Sequence, residues 1–261
     1  MEIDLTQIER MVATLLLPLF RVASMLMTMP MIGTRLVPVR VRMGLALAIT
    51  AVLVPILPPM PPYDGLSGEM WLLIAEQVLI GTVLGFTLNL LMETFVVGGQ
   101  LIANQMGLGF ASMSDPANGT SVVVLGQFYL MMVMLMFMAM NGHLVIIETL
   151  SRSFEVLPVG VTPRLSSLWS IILAGGWLFS AGALMALPAV TSLLVVNFAF
   201  GVMTKAAPQL NIFAIGFPFT MVLGIFIVWA SQGGFLGQYE AFSATVLELI
   251  TSVIREAGRG G

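Results

Sequence analysis

The chain has no cysteine, one histidine and one lysine in 261 residues. The missing thiol excludes disulfide scaffolds, thiolate metal sites and cysteine nucleophiles. A lone imidazole, His143, excludes every metal site that needs two. Charge is equally scarce: 9% of residues are Asp, Glu, Lys or Arg, where a soluble domain carries roughly 25%. Ten basic and 13 acidic residues give a net charge of −3 and no clustered basic face of the kind that grips nucleic acid. There is no glycine-rich phosphate loop with its lysine and no nucleophile–base constellation, so no enzyme motif and no cofactor is expected. What fills the chain is apolar: 58% of residues are hydrophobic and the mean hydropathy is +1.02. That excludes disorder and makes the chain an integral membrane protein. The start, Met1-Glu2-Ile3-Asp4 through Glu9, is acidic where a secretory leader is positive. The first apolar stretch is therefore expected to stay in the mature protein.

A helix needs about 20 apolar residues to cross the hydrocarbon. Seven stretches qualify: 11–29, 43–58, 70–92, 94–113, 122–147, 168–200 and 212–232. Helices are expected because lipid cannot satisfy open backbone groups. The runs also lack the alternation of barrel strands. The tail, 234–261, reads as an amphipathic helix with a fraying Gly258-Arg259-Gly260-Gly261 end. Breakers set the boundaries: Pro55, Pro58, Pro59, Pro61 and Pro62, then Asp115-Pro116-Ala117-Asn118-Gly119, then Pro158 and Pro163. Pro188 divides a long run that reads either as one kinked helix or as a hairpin. The expectation is an all-α chain forming a single domain over 1–261, with no internal repeat. Seven crossings with the N-terminus outside would put Arg35, Arg40 and Arg42, then Arg152 and Arg164, then Arg255 and Arg259 in the cytoplasm, and Lys205 outside. The weakest span is 94–113, whose Gly98-Gly99, Gln100, Asn104, Gln105, Gly107 and Gly109 also suit a broken or re-entrant element.

Ionisable groups inside apolar stretches carry the most information. Arg21, Glu76 and Glu93 would each cost roughly 2.5–3.5 kcal/mol at mid-bilayer, so they should face protein or water. An internal ion pair, Arg21 with Glu76 or Glu93, is one reading; a pairing with another chain is the other. Asn89, Glu93, Gln100 and Asn104 fall within about 60° of one another on a helix. That polar stripe suits inter-helix hydrogen bonds, a partner subunit or an aqueous lumen. It leads into Gly107, Leu108, Gly109, Phe110, Ala111, Ser112, Met113, Ser114, Asp115 and Pro116. This stretch is too interrupted for a good helix and too apolar for a solvated loop. It fits a constriction that excludes water, or else a buried connection between helices. Asn141-Gly142-His143 reads as a polar break in a helix, with the imidazole bonding to freed carbonyls. The six methionines between Met131 and Met140 point all round a helix and suit adaptable packing against other chains or lipid. Gly81 and Gly85 form one small-xxx-small pair, suited to close helix packing.

Three stretches resemble one known family. They are Gln105-Met106-Gly107-Leu108 running to Asp115-Pro116-Ala117, then Asn141-Gly142-His143-Leu144, then Ala207-Pro208-Gln209-Leu210-Asn211-Ile212-Phe213-Ala214-Ile215-Gly216-Phe217-Pro218. With Val37-Pro38-Val39-Arg40-Val41-Arg42 and the segment from Leu79-Ile80-Gly81 to Leu84-Gly85-Phe86-Thr87, they resemble the FliR-like family, the flagellar branch of the type III secretion export gate. The resemblance covers nearly the whole chain. It implies tilted helical hairpins with broken helices, built into a helical multi-subunit pore largely raised out of the bilayer plane. The hydropathy count would then mistake subunit-buried helices for lipid spans. It implies FliP and FliQ as neighbours, FlhB attached and FlhA nearby, in the flagellar basal body of the bacterial inner membrane. The cargo implied is unfolded flagellar subunits, and the loop matching 107–121 would plug the pore. A stand-alone transporter or channel is the rival reading; it would need a charged mid-membrane site, which three scattered charges supply poorly. A membrane enzyme would need clustered acids or a nucleophile with a base.

Overall fold

The computed structural model describes residues 5–34, 37–60, 67–108, 124–207 and 212–258. All regular structure among them is helical. Eight α-helices follow in order: α1 (Leu5–Thr28), α2 (Val39–Leu53), α3 (Gly68–Gln105), α4 (Val124–Ala139), α5 (Gly142–Val156), α6 (Leu165–Ala206), α7 (Ile212–Ser231) and α8 (Phe235–Gly258). Short 3-10 turns, Val54–Ile56 and Gln232–Gly234, follow α2 and join α7 to α8.

The all-helical membrane class holds, but the seven-stretch count does not. The stretches 70–92 and 94–113 share one unbroken helix, α3, whose 38 residues end at Gln105. Likewise 168–200 lies within one helix, α6, which carries Pro188 inside it rather than turning into a hairpin. The stretch 122–147 is broken at Met140-Asn141 into the bent pair α4 and α5. Among the described residues four helical segments are long and apolar enough to cross a membrane, or five if the bent pair is one span. The assignment of sides counted from seven crossings therefore no longer follows. The physical reason is length. At 1.5 Å per residue α3 is about 57 Å long and α6 about 63 Å, roughly twice the ~30 Å hydrocarbon core. A window of 20 residues splits such helices in two.

The breakers act only where neighbours let them. At Asn141 the backbone is left-handed (φ 56°, ψ 32°), and the Leu144 amide donates to the Asn141 carbonyl at 2.9 Å, which starts α5 afresh. His143 is exposed beside this break. No hydrogen bond from its ring to freed carbonyls exists among the described residues, contrary to expectation. Gly98-Gly99 instead stays helical, because both positions are needed for space. A Cβ on Gly98 would lie 2.7 Å from Met185 Sδ of α6, and one on Gly99 2.9 Å from the Leu125 carbonyl of α4. Two other helices thus approach α3 at the same level.

The chain gathers into two compact units. One comprises Met1–Leu90, Met138–Gly175 and Thr245–Gly261; the other comprises Leu91–Phe137 and Gly176–Ala244. In the first, α1 and α3 run in the same direction in close contact. Ser24 packs over Gly81, and Thr28 over Gly85. Thr28 Oγ1 also donates to the Ser24 carbonyl at 2.9 Å, which satisfies the hydroxyl. α2 packs on α1 and buries Ala46, Thr50 and Leu53, leaving Val39, Val41, Leu45 and Val52 exposed. In the second unit Phe95 is fully buried within a ring cluster, its centroid 5.3 Å from Phe235 and 5.5 Å from Phe242.

Between 17% and 44% of each candidate span is buried, so most of the apolar surface faces outward. Trp71, Phe179, Phe198, Val222 and Trp229 are among the large side chains left exposed. Lipid tails give helices no hydrophobic drive to associate, so close approach at small residues must hold them together. Gly81→Ala places a methyl against Ser24 Oγ and the Arg21 carbonyl. It should destabilise the purified protein by about 1–3 kcal/mol. Gly175→Ala, with open space around it, should instead stabilise by about 0.5–1 kcal/mol through helix propensity. Melting midpoints in one detergent check both signs; equal effects would refute the packing argument.

Candidate functional site

Arg21 of α1 is fully buried. Its Nε donates to Gln77 Oε1 of α3 at 2.8 Å. Its Nη1 donates to the Ser153 carbonyl at 3.0 Å and to Ser153 Oγ at 3.2 Å. Its Nη2 donates to the Leu157 carbonyl at 2.9 Å. The guanidinium carbon sits 4.0 Å above the centre of the Phe154 ring. One side chain therefore ties α1, α3 and the end of α5 together.

The expected ion pair is absent. Among the described residues Arg21 has no salt bridge to Glu76 or Glu93, and Glu93 is exposed. The counter-charge comes from elsewhere. Pro158 has no N–H to continue α5 and restricts Leu157 before it, so α5 ends with carbonyls to spare. A helix C-terminus carries the equivalent of roughly half a negative charge, and an aromatic face attracts a cation. A fork of five donors suits several acceptors at once. The sequence reading missed Gln77, Ser153, Phe154 and Leu157. Gln77 was the legible signal, a polar residue next to Glu76 in an apolar run. Glu76 is buried too, and its Oε2 has no hydrogen-bond partner among the described residues; neither has Nε2 of Gln77.

The second feature is the end of α3. Gly107 is left-handed (φ 83°). Its amide donates to the Asn104 carbonyl at 3.0 Å, and the Leu108 amide to the Ala103 carbonyl at 3.0 Å. These two bonds make a Schellman cap, whose left-handed position favours glycine. The next carbonyls are taken by side chains from other helices. Asn197 Nδ2 of α6 donates to the Gln105 carbonyl at 3.3 Å, and Thr220 Oγ1 of α7 to the Met106 carbonyl at 3.4 Å. Met106 is buried against Gly224. Asn197 and Thr220 were not foreseen, although Asn197 is the lone amide in Val195-Val196-Asn197-Phe198. The root of the loop is therefore pinned from two sides. Gly107 and Leu108 belong to this cap, whereas Gly109, Phe110, Ala111, Ser112, Met113, Asp115 and Pro116 lie outside the described residues, which resume at 124.

The polar stripe lies on the continuous helix α3, so its helical geometry stands. Glu93 and Asn104 are exposed, and Asn89 and Gln100 are half-buried. The stem of Gln100 touches the Gly126 position of α4. The stripe runs up to the capped end of the helix. Among the basic residues, Arg42 donates to the Val37 carbonyl at 2.8 Å and to the Thr34 carbonyl, holding the turn before α2. The methionines between Met131 and Met140 are half-buried or exposed, with Met131, Met138 and Met140 the most open.

Replacing Arg21 tests the first feature. In Arg21→Lys a single ammonium can serve only some of the acceptors, and the fork over Phe154 is lost. An unsatisfied buried acceptor costs ~1–3 kcal/mol, so a loss on the order of 3 kcal/mol is expected in the melting midpoint although the charge is kept. A lysine variant as stable as the parent would show that charge alone matters there.

Comparison with known proteins gives the family. Residues 12–246 match the family described as bacterial export proteins, family 1. The flagellar biosynthetic protein FliR of Escherichia coli K12 is 37% identical over 242 residues, 92% of each chain. The protein of that name in Pectobacterium carotovorum is 38% identical over 80% of each chain. The one in Bacillus subtilis is 26% identical over 88% of this chain and 91% of its own. The chain belongs to the bacterial export proteins, family 1, and within them to the FliR family of flagellar biosynthetic proteins.

Proposed function

We propose that this component of the flagellar export apparatus is a non-enzymatic wall-and-plug subunit of the export gate. Residues 1–261 act as one subunit in the bacterial inner membrane, in the flagellar basal body. FliP and FliQ lie beside it, FlhB is attached and FlhA is nearby. Unfolded flagellar proteins pass through the shared pore, and the loop over 107–121 closes it. The carrying observation is the end of α3. A Schellman cap at Gly107 and side-chain bonds from Asn197 and Thr220 hold the root of the loop fixed, which a plug requires if it is to return to one position.

Three further features support the reading. α3 and α6 are far longer than a bilayer needs, as helices reaching out of the membrane plane would be. The outward apolar surface is too large for a chain working alone in water. Glu93 and Asn104 are exposed on α3, where lipid would be costly for them and a lumen or a partner would not. A stand-alone transporter gains nothing from Arg21, the one fully buried cation among the described residues, because its donors are already bound within the chain.

The mechanism follows from apolar gating. A narrow apolar constriction holds back ions by dewetting, with no charge needed. Phe110 and Met113 are large enough to fill such a lumen, and Gly109 gives the backbone freedom to turn between them and the cap. Asp115-Pro116 sets the exit turn. Deleting 109–114 should raise small-ion leakage across the membrane while the complex still purifies intact. Conductance and subunit stoichiometry measured on the same preparation decide the matter. A complex that falls apart, with no leak from what survives, would mean the segment is a structural connection.

A further inference from the structure

The part of α3 that belongs to the first compact unit carries an outward seam. Glu69, Leu72, Glu76, Leu79, Val83 and Phe86 follow at steps of three and four residues, which sets them within an arc of about 100° on the helix. The seam lies roughly opposite Gln77, Gly81 and Gly85, the positions that meet α1. It is therefore separate from the Arg21 contacts. Leu72, Leu79 and Phe86 are exposed, and Val83 is half-buried. Leu79 and Val83 also line an apolar cleft of about 30 Å³, shared with Leu157, Pro163 and Ile254.

Glu76 is the anomaly in this seam. It is 7% exposed, between Leu72 at 61% and Leu79 at 41%, so its carboxylate is drawn in beneath an apolar rim. Its Oε2 is buried, and no hydrogen bond or ion pair reaches the group among the described residues. A carboxylate taken out of water and left unpaired is strongly destabilising. Glu69 needs no such partner. It is exposed in the first turn of α3, where the start of a helix favours an acid. Glu76 sits two turns further in, beyond that help. The buried cation of this unit, Arg21, directs its donors to Gln77, Ser153 and Leu157 instead.

We infer that this seam receives a helix from a neighbouring subunit, apolar along its contact face and carrying a lysine that reaches Glu76. The inference rests on the reading of the chain as one subunit of a multi-subunit gate. Steps of three and four residues are the spacing at which two helices interlock side by side. Lipid tails would fill the seam but leave the carboxylate unpaired, which is costly. The opening over Glu76 is small. A lysine ends in a compact charge on a slim, flexible stem, whereas an arginine carries a wide planar fork. A charged pair inside an apolar seam also fixes register, because any slide of the partner helix separates the two groups.

Two measurements test this, on the full chain and on the purified complex that contains it. Glu76→Gln keeps the shape and removes the charge. In the full chain purified alone it should raise the melting midpoint, since an unpaired buried charge is gone. In the complex it should loosen retention of the neighbouring subunit about tenfold, one decade in affinity, because the lysine is then left unpaired. Native mass spectrometry on dilution reads that loss. Leu72→Cys and Leu79→Cys, each the chain's one thiol, are treated in the complex with a short thiol-to-amine cross-linker. Both should capture the same lysine of one neighbouring subunit. Val78→Cys, exposed but turned away from the seam, should not. Replacing the captured lysine by glutamine should add little to the loss already caused by Glu76→Gln. The cross-links are read with Glu76 in place, so they decide even where the glutamine variant does not assemble. Equal retention with Glu76→Gln would overturn the inference, by showing a carboxyl that needs no cation. Capture of an aminophospholipid would overturn it by placing lipid on the seam, and capture of no protein lysine would overturn it as well. Any of these results in an intact complex leaves the export-gate reading standing; a parent chain that purifies without other subunits overturns both.

Discussion

A positive charge placed inside an apolar helical protein needs a negative partner, and here that partner is the end of a helix. Arg21 is fully buried and has no salt bridge among the described residues. It is held instead by the last turn of α5, by Gln77 and by the face of Phe154. Moving an isolated charge into such surroundings costs far more than a protein's whole stability. The arrangement is therefore tightly conditional. α5 must end where it does, at Pro158, and α1 must lie close to α3. Gly81 and Gly85 permit that closeness, one and two turns along from Gln77. A side chain at either glycine would push α1 away and pull the guanidinium off its acceptors. The buried arginine and the paired glycines are two halves of one constraint.

The second unit obeys the same rule by other means. Gly98 and Gly99 let α6 and α4 approach α3, and Phe95 fills the space beyond with a cluster of rings. Where α3 ends, its carbonyls are consumed by its own cap and by Asn197 and Thr220. The carbonyls from Ile102 to Met106 are each satisfied locally, as they must be where lipid offers them nothing. The result is a rigid platform from which the apolar stretch 109–116 departs, and that link runs from packing to the proposed gating function.

Much of this was legible beforehand, for physical reasons. Composition alone required a helical membrane protein. Asn141-Gly142 and Gly107 were readable as stops because each needs a left-handed or broken backbone whatever surrounds it. Gly98-Gly99 and Pro188 left two readings open, and the continuous helix is the one found, because a breaker inside a helix acts only if neighbours do not hold the helix together. Arg21 was readable as buried, since its cost in lipid is large. Its partner was not, because a helix terminus is a charge that no single residue letter displays. Glu93 was expected to face protein or water, and it lies exposed on α3; hydropathy gives depth in a run and not direction around a helix, so which of the two it meets was not legible. The composition of 107–116 argues against a solvated loop and leaves a plug and a buried connection both open.

The absence of cysteine gives the central claim a clean test, since any thiol introduced is the chain's only one. Phe110→Cys and Met113→Cys are placed in the proposed plug, and Trp229→Cys, on an exposed face of α7, serves as the control. An export substrate with one cysteine is stalled in passage by a folded C-terminal fusion and exposed to mild oxidant. A wall-and-plug subunit should form disulfides with the stalled chain from Phe110→Cys or Met113→Cys, and not from Trp229→Cys. Cross-linking from the control alone, or from none of the three while the substrate is demonstrably stalled, would contradict a role for this loop in the export path.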